Sequence, residues 1–66
     1  MPFVNIKLIP DGITTEQKER VIAGVTKVLQ DELGKDPEST AVLIEAIESE
    51  NWGRGGQSIA KRRASN

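Results

Sequence analysis

Phe3-Val4-Asn5-Ile6-Lys7-Leu8-Ile9-Pro10-Asp11-Gly12-Ile13-Thr14-Thr15-Glu16-Gln17 decides the fold, because the chain changes its hydrophobic period inside this stretch. Over residues 3–9, Val4, Ile6 and Leu8 alternate with Asn5 and Lys7, the period-2 pattern of a strand. Pro10, Asp11 and Gly12 cannot continue a ladder comfortably and suit a turn. Thr14 and Gln17 then stand at the S/T-x-x-E/Q spacing of a capping box, in which each side chain satisfies a backbone amide orphaned at a helix start. A strand is therefore expected to pass through a tight turn into a helix.

Working outward, Val21, Ile22, Val25, Val28, Leu29 and Leu33 gather on one side of a 3.6-residue period, with Glu16, Lys18, Glu19, Lys27, Gln30 and Asp31 largely on the wet side. Gly34 is the expected C-terminal cap, since glycine enters the left-handed conformation without steric cost. Residues 35–39 connect to a second apolar run, residues 40–47, rich in branched side chains and poor in polar ones, as in a parallel strand covered on both faces. Strand, helix and strand make a right-handed crossover with the strands parallel. Two such strands leave open edges, so pairing with another chain is expected. The polar remainder, residues 48–66, carries Gly53, Gly55 and Gly56, suited to a short hairpin reaching a neighbouring subunit. It ends in Lys61, Arg62 and Arg63, and residues 61–66 are expected to form a mobile basic tail. The fold class is α+β, with a single domain over residues 1–66.

The chain has 66 residues, and a domain of that size buries only about 60% of the surface its unfolded chain exposes. With no cysteine and no histidine, neither disulfides nor a zinc site is expected to supplement the core. Oligomerisation is the support that remains. No run approaches the roughly 20 apolar residues of a membrane span, and the N-terminus lacks a signal-peptide pattern, so a cytoplasmic location is expected. A formal net charge of −1 gives no field to attract nucleic acid or an anionic membrane.

Pro2 is the most informative single residue. A small second residue permits removal of Met1, which would leave a secondary amine at the chain start. An α-amino group ordinarily titrates near ~7.7–8.0, and a secondary amine is more basic. Desolvation or a nearby cation would free it to act as a base at neutral pH, a setting that Phe3, the apolar strand and an incoming aromatic can supply. The plainer alternative is an ordinary N-terminus.

The pattern as a whole carries more. Pro2-Phe3-Val4-Asn5-Ile6-Lys7-Leu8, then Thr15-Glu16-Gln17-Lys18-Glu19, then Asn51-Trp52-Gly53-Arg54-Gly55-Gly56 resembles the 4-oxalocrotonate tautomerase family over almost the full length. The resemblance implies β-α-β subunits paired into a four-stranded sheet with helices on one face, and dimers assembled into a hexamer, a trimer of dimers. It implies a cofactor-independent isomerase, met in aromatic degradation, whose N-terminal proline shuttles a proton as a small enol carboxylic acid such as 2-hydroxymuconate becomes its keto form. Pro2 would be that base. Trp52 would stand for the family's active-site phenylalanine, contributed by a neighbouring subunit, where it also suits plain interface packing.

The chain departs from the family at its two substrate-binding arginines, expected just after the first strand and within the second. Here those regions read Pro10-Asp11-Gly12-Ile13 and Thr40-Ala41-Val42. Arg54 offers a relocated carboxylate clamp, with Lys7 beside it in role, and Ser39 is a candidate to orient substrate or water. The alternatives are a solvated loop arginine and an ordinary turn serine. Two competing functions remain: the arginine-poor subunit of a hetero-oligomeric tautomerase, and a nucleic-acid-binding module using Arg54 and the basic end. The near-neutral charge and the lack of interleaved aromatics weigh against the second. A phenylpyruvate-type monoacid is a further candidate substrate. The family's dehalogenases resemble the chain less, because their carboxylate and arginine pair is not evident here.

Overall fold

The structure is a computed structural model that describes residues 1–65. Strand β1 spans Phe3–Leu8, helix α1 Thr15–Leu33 and strand β2 Ala41–Ala46. Strand β3 (Gly53–Arg54) and strand β4 (Gln57–Ser58) form a hairpin that leads into helix α2 (Ile59–Ala64).

The β1–α1 turn folds as its residues dictate. The Asp11 and Gly12 amides donate to the Ile9 and Pro10 carbonyls at 2.8 and 3.0 Å, and Gly12 takes a positive φ. The capping box is complete: the Gln17 amide donates to the Thr14 hydroxyl at 3.1 Å, and the Thr14 amide donates to the Gln17 side chain at 2.8 Å. At the other end Gly34 is left-handed (φ 65), with the Gly34 and Lys35 amides returning to the Gln30 and Leu29 carbonyls at 3.0 and 3.3 Å. This is a Schellman-type stop.

β1 and β2 pair in parallel, with Phe3 opposite Ala41 and Leu8 opposite Ala46. Val4, Ile6 and Leu8 form the half-buried face of β1, and their partners Val42, Ile44 and Ala46 share that side by register. Phe3, Asn5 and Lys7 lie opposite Ala41, Leu43 and Glu45 on the other face. The covering expected on both faces of β2 is absent within one chain, since Leu43, Glu45 and Ala46 are exposed.

Among the described residues no side chain is fully buried, while Phe3, Val28 and Leu33 are 63%, 57% and 62% exposed. The radius of gyration, 15.3 Å, compares with about 11 Å for a compact domain of this length.

Over residues 61–66 the sequence predicts a mobile tail, whereas the structure places helix α2 there as far as Ala64. Three contacts explain it. The Ser58 hydroxyl caps α2 by accepting from the Lys61 amide at 3.0 Å, and the Ile59 amide donates to the Trp52 carbonyl at 2.8 Å. The Arg63 guanidinium forks onto both Asp11 carboxylate oxygens at 2.9 Å each, tying α2 to the β1–α1 turn. The last position of the expected tail, Asn66, lies outside the described residues.

Candidate active site

Because β1 and β2 are parallel, their starts lie at one end of the sheet and their ends at the other, and the candidate residues divide between the two. Pro2 is half-buried at the head of β1. Its carbonyl accepts from the Ala41 amide at 3.0 Å, so the carbonyl belongs to the ladder while the nitrogen lies before the first strand residue. With Met1 attached that nitrogen is an amide without a basic lone pair. Met1 itself is 93% exposed.

Ser39 is at the same end. It closes a 3₁₀ turn, Pro37–Ser39, and one register step before Ala41 brings Thr40 beside Pro2. The Ser39 hydroxyl donates to the Asp36 carbonyl at 3.2 Å, as does the Thr40 hydroxyl at 2.9 Å. These bonds shape the entry to β2.

Lys7 and Trp52 are at the far end. Lys7 is five residue steps along the strand from Pro2, about 16 Å at 3.3 Å per residue. A shallow cavity of about 250 Å³ opens there, lined by Lys7, Ile47, Asn51, Trp52 and Gly53. The Lys7 ammonium is already engaged, donating to Glu45 at 2.8 Å and to the Asn5 side-chain carbonyl. Asn5 also donates to Glu45 at 2.7 Å. The hydrogen bonds from Lys7 and Asn5 hold the Glu45 carboxyl below its ordinary value, and the Lys7 charge adds to them. Likewise the Arg63 hydrogen bonds lower Asp11 and raise Arg63.

Arg54 stands in β3 opposite Gln57, exposed and outside every ion pair among the described residues. Gly55 and Gly56, with φ 62 and 80, form the two-residue turn after it, the left-handed pair a type I′ hairpin requires. At the positions where the resemblance calls for arginines, Ile13 is half-buried beyond the first turn, and Ala41 gives its amide to Pro2.

One chain thus brings Pro2 near Thr40 and Ser39, and Lys7 near Trp52, without uniting the two groups. Asn51 and Ile47, which complete the cavity, were not singled out by sequence reasoning, and neither was Glu45. The parallel register is the signal that reaches Glu45, since it sets that residue directly opposite Lys7.

This fold has close counterparts among known proteins. Residues 2–62 match the family model described as tautomerase enzyme. A probable tautomerase K2 of Dickeya dadantii is 56% identical over 63 residues, covering 96% of this chain and 94% of that one. A 2-hydroxymuconate tautomerase of Comamonas testosteroni is 38% identical over 58 residues, covering 88% and 90%. The crystal structure of DmpI from Helicobacter pylori superposes with a TM-score of 0.89 at 42% identity, covering 98% of this chain and 100% of that one. The chain belongs to the tautomerase family of enzymes and is an isomerase.

Proposed function

We propose that the chain converts an enol or dienol carboxylic acid, of the 2-hydroxymuconate kind, to its keto form with the Pro2 amine as general base. The observation that carries this reading is the position of Pro2, whose carbonyl is held by Ala41 while its nitrogen stays outside the sheet's hydrogen bonds. Removal of the exposed Met1 makes that nitrogen a secondary amine. The amine takes the enol hydroxyl proton, the O–H electron pair becomes the carbonyl π bond, and the displaced C=C pair collects a proton from the prolinium. The base is regenerated and the reaction is redox-neutral. The 2-hydroxymuconate tautomerase name of the Comamonas relative supports the substrate class.

The separation of Pro2 from the Lys7–Trp52 cavity fits a site completed by a second chain. In this reading the hairpin of a neighbouring subunit carries Trp52 to Pro2, excludes water and disfavours the prolinium form. Arg54 on the same hairpin receives a substrate carboxylate. The exposed Phe3, Val28 and Leu33 support assembly into a homo-oligomer, which we take to be a hexamer. We place the enzyme in the cytoplasm, acting without a cofactor in aromatic degradation.

Ile13 and Ala41 at the arginine positions favour a second reading, the arginine-poor subunit of a hetero-oligomer. Native mass of the lone chain separates the two. A stable homo-oligomer that turns over 2-hydroxymuconate excludes the need for a partner, and a monomer without turnover supports one. The Pro2 assignment is tested by ketonisation of 2-hydroxymuconate with Pro2→Ala as the control: a fall of about 10²–10⁴-fold is expected for loss of a general base. Unchanged turnover sinks the assignment.

A further inference from the structure

The segment that carries Trp52 is knit to itself. The Ile59 amide donates to the Trp52 carbonyl at 2.8 Å, Gly53 pairs with Ser58, and Arg54 pairs with Gln57. Helix α2 packs against the Ser49–Asn51 3₁₀ turn and against β4. The Ser58 hydroxyl caps that helix by accepting from the Lys61 amide at 3.0 Å. Across the hairpin, a Cβ placed on Gly55 would be 3.4 Å from Arg62 Nη2, so the guanidinium lies against the β3–β4 turn. Whatever turns α2 therefore turns the backbone that bears the indole.

This unit joins the β1–α1–β2 body at two points. One is the chain itself. The Ile47 amide makes the last bond to β1, donating to the Leu8 carbonyl at 2.8 Å, and Glu48 then enters the 3₁₀ turn without a side-chain cap. The other is the Arg63–Asp11 fork. Its two bonds, 2.9 Å each, are the only hydrogen bonds among the described residues that join residues 48–65 to residues 1–47. The body end of the fork is anchored, since the Asp11 amide donates to the Ile9 carbonyl at 2.8 Å inside the β1–α1 turn.

One covalent link leaves the unit free to swing about the backbone of residues 47 and 48. A second anchor near the end of α2 removes that freedom, and a bidentate fork fixes direction as well as distance. The side chains of Arg63 and Asp11 are 53% and 57% exposed. An ion pair so exposed adds little to global stability. Its place between two bodies makes it a device for orientation.

We propose that Asp11 and Arg63 are a positioning pair for the reaction, whose fork holds the hairpin unit at the angle that delivers Trp52 to the Pro2 of a neighbouring subunit. This rests on the reading of Pro2 as a base in a site completed by the neighbour's hairpin, and it assigns what aims that hairpin. The pair acts through Trp52 rather than on the substrate. With the fork broken, the unit swings, Trp52 covers the proline for less of the time, and water stabilises the prolinium form.

The assembled full chain is compared with Asp11→Ala, Arg63→Ala, the double variant and the exchanged pair Asp11→Arg/Arg63→Asp. Ketonisation of 2-hydroxymuconate is followed across pH, and the anisotropy decay of Trp52, the only tryptophan in the chain, reads the swing of the hairpin. Each single variant should lower kcat/KM about two- to fivefold, the scale of an exposed ion pair. Each should also move the acid limb of the kcat/KM profile to higher pH and add a fast component to the anisotropy decay. The double variant should be no worse than either single one, because the two residues act as one contact. The exchanged pair should recover most of the loss, and native mass should be the same throughout.

The proposal is overturned by single variants with wild-type kinetics or an unmoved acid limb, by an unchanged anisotropy decay, by losses that add in the double variant, or by a loss that accompanies dissociation of the oligomer. A slow Arg63→Ala beside a silent Asp11→Ala gives Arg63 a role of its own and overturns it as well. Pro2→Ala separates the pair from the catalytic reading. If that variant turns over the enol as fast as wild type, the base assignment falls, while the anisotropy decay, which needs no turnover, still decides whether the fork holds the hairpin. If it loses turnover and the fork variants keep wild-type kinetics, only the positioning pair falls.

Discussion

Gly34 ends the helix that separates the two strands, and replacing it shows how firmly that end is set. At φ 65, an L-residue at position 34 meets the left-handed penalty of about 1–2 kcal/mol. A Cβ there meets nothing within 4 Å, so no packing term adds to it. Alanine also narrows the unfolded ensemble, which returns about 0.4–1 kcal/mol. Gly34→Ala should therefore destabilise by a net ~1 kcal/mol, or roughly 4–8 °C in Tm for a domain of this size. Gly34→Asn should cost less, because asparagine tolerates the left-handed region. Thermal unfolding is measured at one protomer concentration for all variants, because the Tm of any oligomer depends on concentration. A Gly34→Ala protein as stable as wild type, or an order in which asparagine is worse than alanine, would refute the assignment of the helix stop to this residue. The consequence reaches the site, because the same stop aims the chain toward the Pro37–Ser39 turn and the strand beside Pro2.

The remaining predictions concern acid, the hairpin and the aromatic. Asp11 and Glu45 are depressed from ordinary values of 3.8 and 4.5, so the stability they contribute is fully present above those values and is lost as pH falls through the lower folded ones. Asp11→Asn with Glu45→Gln should flatten the acid limb of a Tm-against-pH curve, and an unchanged limb contradicts the two ion pairs. Arg54→Ala should lower kcat/KM about tenfold or more, chiefly through KM, the loss of a charge-assisted contact. Unchanged kinetics would remove Arg54 from the site. Trp52→Phe should keep most of the turnover and Trp52→Ala lose it, with native mass unchanged in both. Equal losses would assign Trp52 to the interface alone.

Much of the fold was legible because it is local. The alternation of Val4, Ile6 and Leu8, the Thr14–Gln17 box and Gly34 each signal within a few residues, and β1, α1 and β2 follow them to within a residue or two. Helix α2 escaped because six residues offer less than two turns of periodicity, and its anchor is a partner 52 residues away, Asp11. The basic run that reads as a tail is one in which Arg63 is committed to an ion pair. The candidate site is a set of residue types in the sequence, and the sequence does not give their arrangement. Pro2 and Trp52 fit one chemistry, yet the parallel register puts Lys7 and Trp52 at the opposite end of the sheet from Pro2. Sequence spacing carries no information on what a neighbouring chain brings. Lys7 shows the same limit, since its charge is spent on Glu45, a partner visible only once the register is known.

The central claim is that a free Pro2 amine, rather than the proline ring, does the chemistry. The most direct measurement compares two forms of the same chain, one with Met1 removed and one with Met1 retained, each verified by intact mass and assayed for ketonisation of 2-hydroxymuconate. The Met1-free protein should be active and the Met1-retaining protein slower by about 10²–10⁴-fold, the contribution of a general base, with the same oligomeric state. Equal turnover by the two forms would contradict the account.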